Sequence, residues 1–231
     1  MPTTAGGAAV AAIALTVALA GCGSDSSTEA TSSSSASSSA ASSEAESPSA
    51  APAEAPAGGN ETIAEYVKQN GITETPVKRG DPGTPTVNLP VPAGWEDAGA
   101  KTPANAVNAL VFTGDPAAAA DPPTIVAIMS KLSGEVDPAK IMEYAPGELK
   151  NLPGFEGGNG NTSTLGTFDA YQIGGTYVRE GVKRLIAQKT VLIPSGPDLF
   201  VLQLNADGVE AQMGPLMDAT SQIDEKTVIT P

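Results

Sequence analysis

The sequence predicts an α+β layered domain over residues 60–231. A capped helix opens the patterned part of the chain, six or seven strands with one helix inserted follow, and a helix near the C-terminus closes it. Three observations carry this prediction. Thr62-Ile63-Ala64-Glu65 has the spacing of a capping box, in which the first hydroxyl and the fourth carboxylate satisfy each other's backbone amides. Apolar runs in the second half are broken by Gly and Pro at intervals too short for crossover helices, so the strands pair antiparallel. Val209, Met213, Leu216, Met217 and Ile223 fall at helical spacing.

The elements follow in order. The first helix runs to Gln69 and stops at Asn70-Gly71, a pair that tolerates the left-handed conformation. After a proline-rich approach, Val87, Leu89 and Val91 alternate as an edge-like strand, and the turn Pro92-Ala93-Gly94 delivers Trp95. Ala109 to Thr113 and Thr124 to Lys131 read as strands. Asp137-Pro138 caps a helix carrying Ile141, Met142 and Tyr144, which Pro146 breaks before Leu149. Phe168 to Ile173, Thr176 to Arg179, Arg184 to Ile193 and Leu199 to Leu204 are the C-terminal strands. The last helix is expected over Asp207 to Ile223, bent at Gly214-Pro215, with Val209, Met213, Leu216, Met217 and Ile223 facing inward. Thr227-Val228-Ile229 supplies a final edge strand. Gly154 to Gly160 reads as a flexible connection.

Ahead of this domain the chain carries an address and a spacer. Residues 1–21 read as a lipoprotein signal peptide. Ala8 to Ala20 is an uncharged run of 13 residues, short of the ~20 needed to span a bilayer. Leu19-Ala20-Gly21-Cys22 follows as a lipobox, and Cys22, the only cysteine, is the lipidation site. The absence of Lys and Arg from Met1 to Val10 departs from the usual positive n-region and leaves open a start upstream of Met1. Residues 22–59 are Ser, Ala, Pro and acid, with no aromatic or branched aliphatic side chain to bury, and read as a disordered tether of about 35 Å root-mean-square span. These features predict export to the outer face of the cell membrane with a lipid anchor, and leave open whether some molecules are shed without it.

Composition excludes several chemistries. With no histidine and one cysteine, the chain cannot build a Ser-His-Asp triad, a Cys-His pair, a His/Cys zinc site or an intrachain disulfide. A net charge of −14 argues against nucleic acid. No G-x-S-x-G, phosphate loop, dinucleotide fingerprint or calcium loop occurs. Neither a metal nor an organic cofactor is expected, and the protein reads as a non-enzyme. Binding fits better. Trp95, Met129, Met142, Tyr144 and Phe155 are large or adaptable apolar residues that could line a slot for an acyl chain. Met213 and Met217 share that character. Arg179, Lys183 and Arg184, with Lys189, cluster on one predicted hairpin and offer a docking patch for a protein partner or polar head group.

Certain stretches carry a resemblance. Thr62-Ile63-Ala64-Glu65-Tyr66, Ile72-Thr73-Glu74-Thr75-Pro76-Val77, Gly80-Asp81-Pro82-Gly83, Asp121-Pro122-Pro123-Thr124-Ile125 and Ala145-Pro146-Gly147-Glu148-Leu149 resemble the mycobacterial LpqN/LpqT lipoprotein family. So do Ala187-Gln188-Lys189-Thr190-Val191 and the run Phe200 to Asp207. The likeness covers the lipobox and nearly all of the domain, departing most over Lys101 to Asn108. It implies a PsbP-like α/β/α sandwich, with an antiparallel sheet between helices and no cofactor. It further implies an accessory role in mycolate export, with a trehalose glycolipid, an MmpL-class transporter and secreted mycolyltransferases as partners. The alternative is a protein-interaction adaptor with no small ligand, and a hydrolase acting through paired carboxylates is a third reading.

Overall fold

A computed structural model describes residues 59–231. The predicted signal peptide, Cys22 and all of the predicted tether but Gly59 lie outside the described residues. Helix α1 (Ile63–Gln69) starts on Thr62, whose hydroxyl accepts from the Glu65 amide at 3.2 Å while the Glu65 carboxylate accepts from the Thr62 amide at 2.8 Å. The predicted capping box is therefore complete. Strands β1 (Thr73–Val77), β2 (Thr86–Asn88), β3 (Trp95–Asp97), β4 (Asn108–Phe112) and β5 (Thr124–Ser133) follow. Helix α2 (Pro138–Tyr144) is capped by Asp137, which accepts from the Ala139 amide, and α3 (Gly147–Lys150) restarts beyond Pro146. Then come β6 (Glu156–Gly157), β7 (Asn161–Leu165), β8 (Phe168–Arg179), β9 (Val182–Ser195), β10 (Asp198–Val209), α4 (Met213–Lys226) and β11 (Val228–Thr230).

Nine strands form one antiparallel sheet in the order β3-β4-β5-β10-β9-β8-β6, with β1 also on β5 and β7 also on β8. Each outer edge is shared by two short strands laid end to end. Strand β4 takes residues 124–127 of β5 and β1 takes 129–133, whereas β7 takes 168–172 of β8 and β6 takes 175–176. Strands β2 and β11 pair as a separate ribbon.

Alternation along the long strands divides the core in two. Leu132, Leu192, Leu199 and Val201 point to one face, where Ile63, Tyr66 and Val67 of α1 and Ile141 of α2 cover them. Ile125, Met129, Val191, Ile193, Phe200 and Leu202 point to the other, where Leu216, Ala219 and Ile223 of α4 and the β2–β11 ribbon pack. Burying each such side chain contributes roughly 1.5–3 kcal/mol. The predicted sandwich of helix, antiparallel sheet and helix is the observed one.

Several boundaries differ from expectation. Strand β1 is an addition to the expected elements, and its Pro76 is tolerated because β1 pairs on one side only, with β5. The two strands expected on either side of Gly174-Gly175 are one. Gly175 serves close approach rather than a turn, since a Cβ there would stand 2.4 Å from the Glu156 carbonyl oxygen on β6. The hairpin turn comes instead at Glu180-Gly181, both with positive φ, the pattern of a tight two-residue loop. The predicted flexible Gly154 to Gly160 segment holds β6 and forms part of the sheet edge. Strand β10 extends to Val209, so the C-terminal helix begins at Met213 rather than Asp207, and Pro215 sits in its first turn, where no amide partner is lost. Met213 and Met217 are 49% and 64% exposed rather than inward-facing.

Candidate functional site

The exposure of those methionines has its origin across the sheet. Register places Gly174 of β8 opposite Ala187 of β9, and Ala187 opposite Ala206 of β10. The row faces α4, as the shared parity of Ala187, Val191 and Ile193 shows. Three neighbouring strands thus present a hydrogen and two methyl groups where their neighbours present Ile, Val or Leu. Ile125 of β5 ends the row. Helix α4 rests on larger side chains around this gap and cannot drop into it, so a groove remains between sheet and helix.

The groove has two halves that share Gly174, Ala187, Ala206, Met217 and Thr220. The larger, about 700 Å³, has an apolar floor that includes Ile125, Leu204 and Ile223 and carries the polar groups at its rim: Asn159 before β7, Asn161 of β7, Gln172 of β8, Ser221 and Asp224 of α4, and Lys189 of β9. The smaller, about 390 Å³, is almost wholly apolar and is walled by Leu185, Met213, Leu216 and Met217, with Thr176 and Gly175 at its β8 side. Lys189 is buried and its Nζ lies 2.6 Å from the Asp224 carboxylate, tying the end of α4 to the sheet. Both volumes lie within the roughly 300–1,000 Å³ typical of small-molecule sites. Amides, hydroxyls and an ion pair in one half suit a polyol head, and the other half suits an alkyl chain.

The rim at Asn159 is built to stay in place. Its carbonyl accepts from the Tyr171 hydroxyl, and Gly160 beside it has φ +77°. A Cβ at Gly160 would stand 2.5 Å from the Gln172 carbonyl oxygen. Only glycine brings this segment so close to β8.

The five apolar candidates from the sequence do not meet at one place, and none lines the groove. Trp95 is buried against Phe112, ring centres 5.6 Å apart, and Met129 is buried in the same α4-side core. Met142 and Tyr144 are half-buried on the opposite face, where the Tyr144 ring lies 5.6 Å from that of Tyr66. Phe155 is half-buried rather than exposed, its ring folded over the Gly157 backbone. Sequence reasoning missed Gly174, Ala187, Ala206, Asn159 and Asp224 as neighbours. The signal that pointed here was Met213 and Met217, one helical turn apart.

Of the three docking candidates, Arg179 and Lys183 are half-exposed and Arg184 is not available. Its side chain is 4% exposed and its guanidinium is enclosed by Asp207 and Asp121. Arg184 Nε donates to Asp207 Oδ1 at 2.9 Å, and the Tyr177 hydroxyl donates to Asp207 Oδ2 at 2.6 Å. Burial opposes the Arg184 charge, but the two carboxylates outweigh it and push its pKa up. The Arg184 hydrogen bond in turn holds Asp121 below the ordinary carboxylate value. Burial and then the bond to Asp207 push the Tyr177 hydroxyl up. Lys183 Nζ bonds Glu156 at 2.8 Å across to β6, and Arg179 lies 3.6 Å from Asp207. The expected four-base patch is split by strand alternation, since Arg184 and Lys189 point to opposite faces of β9.

Among the described residues no helix is long and apolar enough to cross a membrane, and no group of three or more His, Cys, Asp or Glu is placed to hold a metal ion. The family model described as "Probable lipoprotein LpqN" matches residues 59–230. Lipoprotein LpqN of Mycobacterium tuberculosis is 56% identical over 227 residues, covering 97% of this chain and 98% of the relative. The chain belongs to the LpqN lipoprotein family. A more distant relative of LpqN, the lipoprotein LpqT of Mycobacterium leprae, is 27% identical over 58% of this chain and 59% of its own. The crystal structure of an LpqN involved in cell envelope biogenesis of Mycobacterium tuberculosis superposes with a TM-score of 0.71 at 53% identity. It covers 75% of this chain and 100% of the solved one, so the solved LpqN chain corresponds to the domain alone.

Proposed function

We propose that this protein is an exported cell-envelope lipoprotein, anchored through Cys22, that binds a trehalose-based glycolipid in the groove beneath α4. In that role it assists mycolate export and envelope biogenesis without catalysing a reaction. The observation that carries the reading is the division of one groove into a polar and an apolar half, joined over the Gly174, Ala187 and Ala206 row. An amphipathic ligand needs that pairing. Asn159, Gln172, Lys189 and Asp224 would meet sugar hydroxyls, and Met213 and Met217 would close over the first part of the acyl chain, methionine being the side chain best able to adapt to it. The exposed Arg179 and Lys183 on the β8–β9 hairpin are the proposed contacts for an MmpL-class transporter or a secreted mycolyltransferase.

Native mass spectrometry on residues 60–231 from a mycolate-producing host tests this. The expected result is a one-to-one adduct with the mass of a trehalose mycolate, lost in Ala187→Phe, whose ring would fill the junction of the two halves. A bare wild-type domain whose melting temperature trehalose esters leave unchanged would refute it.

The adaptor reading without a ligand is favoured by one observation. Val178 and Val182 stand exposed at the hairpin end beside Arg179 and Lys183, an apolar and basic tip. Reversing both bases to Glu should then abolish partner capture and remove its salt dependence.

A further inference from the structure

Resting on the glycolipid reading, we infer that the groove encloses a single alkyl chain only to a depth of about a dozen methylenes, so that a longer chain leaves its far end outside the domain. The limit follows from the apolar half. It holds about 390 Å³, and a methylene takes up about as much space as a water molecule in the liquid, ~30 Å³. Two features bound the chain within this half. Toward the larger half, the head group takes the space, and alkyl there would strip water from the exposed Asp224 carboxylate paired with Lys189. At the opposite end Leu185, Thr176 and Met213 mark the last walled positions before the hairpin. The floor cannot deepen, because Ala206 is already buried and the sheet continues into the packed core of Ile125 and Leu204.

A head group with a fatty acid of several dozen carbons therefore cannot be carried whole. The domain grips the sugar and the first stretch of chain, and the remainder stays in a membrane or against an apolar surface of another protein. This makes the protein a holder that presents a glycolipid head at a boundary, not a soluble shuttle.

Calorimetry with trehalose monoesters from octanoyl to stearoyl, each below its micelle threshold, tests the depth on the mature chain carrying Cys22→Ser. Affinity should climb by up to about fourfold per methylene, the gain from full burial, and then level off near the lauroyl and myristoyl esters. Thr176→Phe, a strand-compatible residue at the far end, should move the break to a shorter chain. A climb continuing through stearoyl overturns the depth limit and leaves the glycolipid reading standing. An affinity independent of chain length, or a break that Thr176→Phe does not move, overturns the assignment of the chain to this half. Binding of none of the esters overturns the glycolipid reading itself.

Discussion

The two faces of the central sheet are built from the same strands and differ in what they leave empty. On the α1–α2 face, Leu132, Leu192, Leu199 and Val201 meet Ile63, Val67 and Ile141, and the helices pack directly on the sheet. On the α4 face the strands carry equally large residues toward β5, but the Gly174, Ala187 and Ala206 row removes three side chains from adjacent strands. One helix then spans filled and unfilled ground, and its methionines overhang the unfilled part. A cavity here is a matter of side-chain size at register-matched positions, not of a separate loop or lid. The polar residues differ in the same way. On the first face Arg184 is buried between Asp207 and the rim residue Asp121, with Tyr177 also on Asp207, whereas on the α4 face Lys189 and Asp224 stand at the groove.

The comparison can be broken most forcefully from the closed side. Ile141→Ala, at a fully buried position on α2, should lower unfolding free energy by about 2–5 kcal/mol, read from urea denaturation, because the rigid face leaves a cavity. Arg184→Met should lower it by about 3 kcal/mol by removing the main charge partner of the Asp207 carboxylate, and Asp207→Leu added to it should restore part of the loss, the Tyr177 hydroxyl then lacking its acceptor. A mutation of the opposite sense separates the faces most directly. Ala145→Phe, at the filled junction of α2 and α3, should destabilise by about 1–3 kcal/mol through overpacking. Ala187→Phe, in the groove, should stay within about 0.5 kcal/mol of wild type.

The smallest effect is the pH dependence of the closed polar cluster. The Asp121 carboxyl is held below its ordinary 3.8 by Arg184, so its contribution is full above that value and is lost as pH falls through the lower folded-state value. Melting temperature should therefore drop as pH falls below about 4, and Asp121→Asn should flatten that drop.

What the sequence disclosed was local. The capping box at Thr62 and Glu65, the Asp137-Pro138 cap and the apolar strand runs at Thr124 to Lys131, Arg184 to Ile193 and Leu199 to Leu204 depend on residues within a few positions of one another, and each formed. The sandwich of helix, sheet and helix followed from their order. The groove depends instead on which residue of β8 stands opposite which of β9, and glycine and alanine give no sign of being partners at a distance of 13 and 19 positions. Gly174-Gly175 misleads for the same reason: Gly175 serves a close approach by β6, earlier in the chain, and Gly174 belongs to the groove floor. Lys183, Arg184 and Lys189 looked like one patch because they are near in sequence, but strand alternation turned one of them to the other face.

The paired short strands on each edge of the sheet have a consequence for crowding. A long free edge is a template on which a second chain can add by backbone hydrogen bonds, the first step toward polymerisation. Here neither border offers such a run. Strand β5 is covered by β4 and β1, β1 carries Pro76, and β8 is covered by β7 and β6 with the Gly158-Asn159-Gly160 excursion between them. Copies brought to high density can collide edge to edge without zipping together.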